Sequence, residues 1–129
     1  MTRPTVLLVE DNPVNLELAK DVLENYGFEV LSATNGLEAL EVVEKAPPRL
    51  ILMDLQLPGM SGIAVIECLK ANELTAHIPI VAVTAFAMSA DETRARAAGC
   101  VGFITKPINT REFPQQVNEF LDMEVQKTT

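Results

Sequence analysis

The sequence predicts a single α/β domain built around a parallel β-sheet. Short β-branched or leucine-rich segments alternate with longer amphipathic segments, and the alternation occurs five times without a break in composition. The length of 129 residues is that of one ordinary domain. A hydrophobic content of 48% and a mean hydropathy of +0.19 argue for a compact fold and against disorder. We therefore expect repeated β-α units, with helices covering the sheet.

Five short segments are predicted to be the strands of this sheet. Three of them are almost wholly apolar, as strands covered by helices on both faces should be. In chain order the predicted strands are Thr5–Val9, Glu29–Ala33, Leu50–Asp54, Ile80–Thr84 and Gly102–Thr105.

The first helix has recognisable ends. Asn12-Pro13 supplies a cap followed by a first-turn proline, and Gly27 can end the helix in a left-handed conformation. Between these ends, apolar residues recur every four positions, at Val14, Leu18, Val22 and Tyr26. This spacing predicts a helix after the first strand.

The other helices also begin at capping signals. Three pairs have capping-box spacing, in which each side chain satisfies an exposed backbone N–H group of the other residue. These pairs are Asn35 with Glu38, Ser89 with Glu92, and Asn109 with Glu112, at the starts of the second, fourth and fifth helices; Ser61 is a weaker cap for the third.

Polar residues follow or close four of the strands, at the edge where open parallel sheets bind ligands. Glu10 and Asp11 follow the first strand, Asp54 closes the third, Thr84 closes the fourth and Lys106 follows the fifth. If the first and third strands are neighbours, three carboxylates converge there. Like charges a few ångströms apart resist joint ionisation, and a divalent cation removes that cost.

Mg²⁺ suits such a site, because it takes hard oxygen ligands and often binds one or two carboxylates together with phosphoryl oxygens. The carboxylate of Asp54 could then attack phosphorus to give an acyl phosphate. Lys106 would ion-pair with the phosphoryl group or with Asp54, and the Thr84 hydroxyl would donate a hydrogen bond to a phosphoryl oxygen. Taken singly, Glu10-Asp11 could be a solvated helix start and Lys106-Pro107 an ordinary turn. The prediction depends on the combination and its order along the chain.

At these residues the sequence resembles the receiver domain of two-component response regulators, from Thr5 to Leu121. The matching motifs are Leu7-Leu8-Val9-Glu10-Asp11-Asn12, then Leu52-Met53-Asp54-Leu55-Gln56-Leu57-Pro58-Gly59-Met60-Ser61-Gly62, then Val83-Thr84-Ala85, then Lys106-Pro107. Two finer stretches, Ala76-His77-Ile78-Pro79 and Thr84-Ala85-Phe86-Ala87-Met88, resemble the DivK-like single-domain regulators, which act on histidine kinases and in cell-cycle signalling.

The resemblance implies a flavodoxin-like (CheY-like) fold, a doubly wound (βα)₅ domain with strand order 2-1-3-4-5. It also implies that Asp54 is the phospho-acceptor. Asp11, Asp54 and the backbone carbonyl of Gln56 would bind Mg²⁺ directly, and Glu10 would act through water.

The resemblance further implies a switch pair, Thr84 and Phe103. The hydroxyl would move toward the phosphoryl group while the ring swings inward, although core packing explains Phe103 equally well. Ala85 would leave space for the phosphoryl donor, and Gln56 and Phe86 would border the path of the attacking water.

The implied function is that of a stand-alone response regulator of a two-component phosphorelay, which signals by phosphorylation-dependent protein binding. Its alternatives are a relay intermediate or phosphate sink that passes the group to a histidine domain, and a receiver module excised from a hybrid kinase. An enzyme is not expected, because aspartyl phosphatases usually place a second aspartate two residues after the first, where this chain has Gln56.

The expected partners are proteins. The donor would be a histidine kinase or a histidine phosphotransfer protein, and an effector would bind the surface formed by the fourth helix, fifth strand and fifth helix. The net charge of −8 argues against nucleic acid. No segment approaches the ~20 apolar residues of a membrane span, and no secretory signal is recognisable, so we expect no membrane contact and a cytoplasmic location.

The remaining expectations concern ordinary features. Residues 1–125 are expected to form the receiver domain and residues 126–129 a short tail. Cys68 and Cys100 lack the spacing of a metal knuckle or redox motif and are expected to be reduced thiols. His77, the only histidine, is expected to be a plain loop residue.

Overall fold

The computed structural model describes residues 3–85 and 90–128, with side-chain surroundings described up to residue 123. Strands and helices alternate throughout this part of the chain. They are β1 (Thr5–Val9), α1 (Pro13–Tyr26), β2 (Glu29–Ala33), α2 (Gly36–Lys45), β3 (Leu50–Asp54), α3 (Gly62–Ala71), β4 (Ile80–Thr84), α4 (Ala90–Ala98), β5 (Gly102–Thr105) and α5 (Phe113–Thr128). The bounds of all five predicted strands are confirmed.

The strands form one parallel sheet with the order β2-β1-β3-β4-β5. This is the flavodoxin-like order that the resemblance implies, so the predicted fold class is confirmed. The three central strands β1, β3 and β4 are almost entirely buried, whereas the edge strands β2 and β5 are partly exposed. Their composition follows this difference, because a strand covered on both faces requires apolar side chains on both faces.

Two hydrophobic cores lie on opposite faces of the sheet. Alternate residues of β1 and β3 point into different cores, so that Leu7 and Ile51 pack on the side of α2, α3 and α4, while Leu8 and Leu52 pack on the side of α1 and α5. The sheet is thereby fixed between two helical layers, and the carboxyl ends of its strands remain at one edge.

The predicted cap residues are found at the starts of α1, α2 and α3. The side-chain oxygen of Asn12 accepts hydrogen bonds from the N–H groups of Val14 and Asn15 at 3.0 and 3.1 Å. Asn35 accepts from the N–H of Glu38 at 2.8 Å, and Ser61 from that of Ala64 at 3.2 Å. Gly27 ends α1 with a φ of 120°, which glycine adopts without steric cost.

Two details of the predicted caps differ. The carboxylate of Glu38 accepts a hydrogen bond from the N–H of Thr34 at 3.2 Å, one residue before the expected partner Asn35. Helix α5 begins at Phe113, later than expected, because Asn109 caps a preceding turn by accepting from the N–H groups of Arg111 and Glu112 at 3.0 and 3.2 Å. Ser89 lies outside the described residues, so its cap remains a prediction.

The four-residue apolar repeat of α1 faces largely outward. Val14, Leu18 and Tyr26 are 73%, 45% and 53% exposed, whereas the buried residues of α1 are Ala19 and Leu23. The repeat correctly predicted a helix, but it marks an exposed apolar ridge and not the packed face. Among the helices described, none combines the length and the apolar character required to cross a bilayer.

Candidate functional site

Three carboxylates lie together at the carboxyl ends of β1 and β3. These strands are neighbours with Val9 in register with Met53, so the residues that follow emerge side by side. One carboxylate oxygen from each of Glu10, Asp11 and Asp54 lies within 4.8 Å of the others. Glu10 and Asp54 are buried, at 6% and 3% exposure, and Asp11 is exposed. The structure thus brings together the acidic residues that the sequence placed at one edge.

Lys106 supplies the positive charge of this cluster. Its Nζ lies 2.8 Å from Oδ2 of Asp54 and 3.0 Å from Oε1 of Glu10. The backbone N–H of Lys106 donates to the carbonyl of Thr84 at 2.9 Å, which continues the pairing of β4 and β5 beyond the last strand residue. This pairing places Lys106 directly after β5, from where its ammonium group reaches the carboxylates that follow β1 and close β3.

The ion pairs favour the charged form of Lys106. Burial alone would lower the pKa of its ammonium group, because it disfavours the charged form. The hydrogen bonds to Asp54 and then Glu10, together with the charges of the same two carboxylates, outweigh burial, so the pKa lies above its ordinary value. Lys106 is therefore protonated at neutral pH.

Both oxygens of Asp54 are held in place. While Oδ2 accepts from Lys106, Oδ1 accepts from the backbone N–H of Gln56 at 2.9 Å. Sequence reasoning missed this role of the Gln56 amide. The signal was available, because aspartate often bonds the backbone N–H two residues further along the chain.

Gly62 is a second feature that sequence reasoning missed. A Cβ at this position would overlap the backbone carbonyl oxygen of Asp54 and the Cα of Leu55. The N–H of Gly62 also donates to the carbonyl of Leu55 at 3.3 Å. Only glycine therefore lets α3 begin so close to the end of β3, where Asp54 lies.

The remaining predicted site residues lie around this centre. Thr84 is buried and follows Val83, which is in register with Asp54. Ala85 is exposed at the end of β4 and Phe103 is half-buried on β5, further from the strand ends. Phe86 lies outside the described residues, so its role remains a prediction.

The donor set of the acidic cluster fits a hard divalent cation. All three side chains offer carboxylate oxygens, which Mg²⁺ prefers. Three carboxylates against the single ammonium of Lys106 leave two negative charges in the cluster. A divalent cation would balance this excess.

A cavity of about 280 Å³ opens between α1 and the loop after β5 and reaches the same site. Glu10, Asp54 and Lys106 contribute to its lining, and most of the other lining residues are apolar. The apolar lining includes Leu18 and Ala19 of α1, Pro107 and Ile108 of the loop after β5, and Phe113 of α5. A partner side chain could reach Asp54 through this opening.

Comparison with known proteins defines the class. The sequence model of the response regulator receiver domain matches residues 6–118. The chain therefore belongs to the response regulator receiver family, and its role lies in two-component signalling. The resemblance found in the sequence motifs is confirmed.

Among particular proteins, the chain is similar to the polar-differentiation response regulator DivK. It is 45% identical over 117 residues to DivK of Brucella anthropi and of Brucella ovis, covering 91% of this chain and 95% of each relative. The chain is thus a DivK-like receiver domain.

Solved structures agree with this assignment. A CheY-like receiver domain protein of Methanospirillum hungatei superposes with a TM-score of 0.88 at 30% identity, over 98% of this chain and 99% of that one. The receiver domain of a sensor histidine kinase from Pseudomonas aeruginosa, solved with a magnesium ion coordinated in its active site cleft, gives a TM-score of 0.86 at 30% identity, over 94% and 99% of the two chains.

Proposed function

We propose that this protein is a stand-alone response regulator that accepts a phosphoryl group on Asp54, with Mg²⁺, from a histidine kinase or histidine phosphotransfer protein. One observation carries the proposal: Asp54 is a buried carboxylate held between Lys106 and the Gln56 amide, beside two further carboxylates. A buried charge requires such compensation, and the same groups could serve a transferred phosphoryl group.

In the proposed transfer, a carboxylate oxygen of Asp54 attacks phosphorus. The bond between phosphorus and the donor histidine nitrogen breaks, its electron pair stays on nitrogen, and Asp54 carries an acyl phosphate. Lys106, now 2.8 Å from Asp54, is close enough to pair with an oxygen of the incoming group. The Thr84 hydroxyl would donate to another.

The metal ligands follow from the same cluster. We propose that Asp11, Asp54 and the backbone carbonyl of Gln56 bind Mg²⁺, with Glu10 acting through water. When bound, the ion would neutralise part of the negative charge of the carboxylates and the phosphoryl oxygens. Ala85 and Phe86 would border the phosphoryl group and govern access to it.

Signalling would use protein surfaces and not a metabolic reaction. We propose that phosphorylation shifts Thr84 and Phe103 and thereby changes the affinity of the α4-β5-α5 surface for an effector. The protein would catalyse only its own phosphorylation and dephosphorylation, in the cytoplasm. It would form one domain over residues 1–125 with a short tail over 126–129, into which α5 continues as far as Thr128.

The acceptor role is tested by substituting Asp54 with a neutral isostere. Asp54→Asn should abolish phosphate uptake from a small-molecule phosphodonor in the presence of Mg²⁺. The matched control is Asp122→Asn, which changes an exposed aspartate of α5 and should leave uptake unchanged. Uptake by Asp54→Asn at the wild-type rate would refute the proposal. Wild-type uptake that survives chelation of divalent metal would refute the magnesium role.

A relay function uses the same site, because the cavity beside Asp54 would admit a histidine in either direction of transfer. Mixing the phosphorylated protein with histidine phosphotransfer domains separates the two functions. Rapid loss of the label to histidine supports a relay, whereas a stable complex that keeps the label supports an adaptor.

A further inference from the structure

Helix α4 buries very little side-chain surface against the sheet. Its one buried residue is Ala95, and Ala98 is partly buried against the same core. A methyl group buries far less apolar area than the leucines and isoleucines of other helices. Contacts made by longer side chains along the seam between α4 and β5 therefore have a proportionally larger share in positioning this helix.

One such contact joins Arg96 of α4 to Phe103 of β5. The guanidinium carbon of Arg96 lies 4.7 Å from the centre of the Phe103 ring, within the range of a cation-π interaction. On its other side, Nε of Arg96 lies 3.6 Å from a carboxylate oxygen of Glu92, one turn earlier in α4. The guanidinium group is thus held by its own helix while it covers a ring on the neighbouring strand.

The charge of Arg96 also acts on Cys100, which follows α4 in the chain. Burial raises the pKa of the Cys100 thiol, at the turn between α4 and β5, and the positive charge of Arg96 acts in the opposite direction. Arg96 thus lies close enough to both Cys100 and Phe103 to interact with them electrostatically.

Phe103 lies on the same face of the sheet as Thr84. It is in register with Ala82, a small residue of β4, and Thr84 is in register with Thr105, two residues after Phe103. Residues in register on parallel strands, and residues two apart on one strand, share a face of the sheet. Phe103, Ala82 and Thr84 therefore lie on one face, with Thr84 nearest the strand ends.

We propose that Arg96 is a positioning residue. Its guanidinium group holds the Phe103 ring in the half-buried position that it occupies beside α4. Loss of this contact releases the ring to pack inward over Ala82, toward Thr84. The consequence for signalling rests on the proposed function, in which Thr84 and Phe103 respond to phosphorylation. The Arg96 contact would then favour the unphosphorylated arrangement.

The test uses the full-length unphosphorylated protein with ring-labelled phenylalanine, observed by NMR. Phe103→Leu identifies the Phe103 signals among the five phenylalanines. Arg96→Ala should shift the Phe103 ring signals, whereas Arg94→Ala should leave them in place, because Arg94 pairs with Asp91 on the same helix at 3.6 Å. Arg96→Lys keeps the positive charge but not the planar guanidinium group, so it should restore only part of the wild-type shift.

A second readout reports the contact from the arginine side. The side-chain protons of Arg96 should be shifted upfield by the Phe103 ring, and Phe103→Leu should remove that shift. In a double-mutant cycle, the Arg96 and Phe103 substitutions should be coupled by about two- to five-fold in the unfolding equilibrium, as for a partly exposed cation-π pair.

Two outcomes would overturn the proposal. One is a Phe103 ring signal that Arg96→Ala does not move, and the other is an Arg94→Ala protein in which that signal moves as far as in Arg96→Ala. Because these measurements require no phosphorylation, they are independent of the acceptor role. A wild-type protein that takes up no phosphate would refute the proposed function and leave the Arg96 result standing.

Discussion

Helices α3 and α4 cover the same face of the sheet, but they are anchored to it very differently. Helix α3 buries five residues, namely Gly62, Ile63, Val65, Ile66 and Leu69, whereas the buried residue of α4 is Ala95. Helix α3 begins directly against the carbonyl of Asp54. The helix that supports the candidate acceptor is therefore anchored by more buried side chains than the helix beside Phe103.

This difference fits the separate tasks that we propose for the two regions. A site that transfers a charged group requires its side chains to be fixed in advance. A surface that reports the transfer requires two arrangements of similar free energy, and weakly anchored elements supply them. The following predictions test this contrast, from the largest expected effect to the smallest.

Truncating a core side chain of α3 should give the largest loss of stability. Leu69→Ala should lower the free energy of unfolding by about 2–5 kcal/mol, because it opens a cavity in a packed core. Ala95→Gly, which removes the buried side chain of α4, should cost only about 1–2 kcal/mol. Urea unfolding measures both. Equal losses would show that the two helices are anchored alike.

The ion pairs of the two regions should also differ in strength. Lys106→Met should lower the free energy of unfolding by about 1–3 kcal/mol at neutral pH, because it leaves the buried carboxylates of Glu10 and Asp54 without their cation. Added Mg²⁺ should reduce that loss. The matched substitution on α4, Arg94→Met, breaks an exposed pair with Asp91 and should change stability by less than about 0.5 kcal/mol. A neutral effect of Lys106→Met without metal would contradict this account of the site.

Amide hydrogen exchange should separate the two helices directly. We expect the amides of α4 to exchange at least about ten-fold faster than the slowest amides of α3, because local opening of α4 exposes little apolar surface. Mass spectrometry of peptides from the two helices measures the ratio. Similar protection in both helices would mean that α4 does not open locally.

The contribution of Lys106 to the free energy of unfolding should depend on pH only in the alkaline range. The pKa of Lys106 is raised in the folded protein. Its stabilising effect is therefore complete at pH values below the pKa in the unfolded chain, about 10.4, and is lost as the pH rises through the pKa in the folded protein. The stability difference between wild type and Lys106→Met should therefore stay constant from about pH 7 to 9 and shrink above about 10.4. A difference that declines already below pH 9 would contradict the raised pKa.

The strands were the part of the fold that the sequence predicted best. Runs such as Leu50–Asp54 are apolar because both faces of a central strand are buried, and this constraint is local enough to be visible in sequence. The strand order itself came from the resemblance, since residue patterns alone do not show that β1 lies between β2 and β3. The exposed ridge of α1 was misleading for a related reason, because periodicity reveals a helix without showing which face packs.

The acidic cluster could be predicted because strand ends of a parallel sheet meet at one edge. The sequence indicated Glu10, Asp11, Asp54 and Lys106 but not how they are held. The amide of Gln56 acts through its backbone, so its only signal is the spacing of two residues after Asp54, and Gly62 acts through the side chain it lacks. The contact of Arg96 with Phe103 joins a helix to a strand, and its existence depends on three-dimensional packing.

The most direct test of the central claim is chemical mapping of the phosphorylated residue. The protein is phosphorylated with a small-molecule donor and Mg²⁺, the acyl phosphate is reduced with borohydride, and the peptides are analysed by mass spectrometry. The account predicts homoserine at position 54 and at no other aspartate. Reduction at Asp11, or stable phosphate elsewhere with Asp54 unmodified, would contradict it.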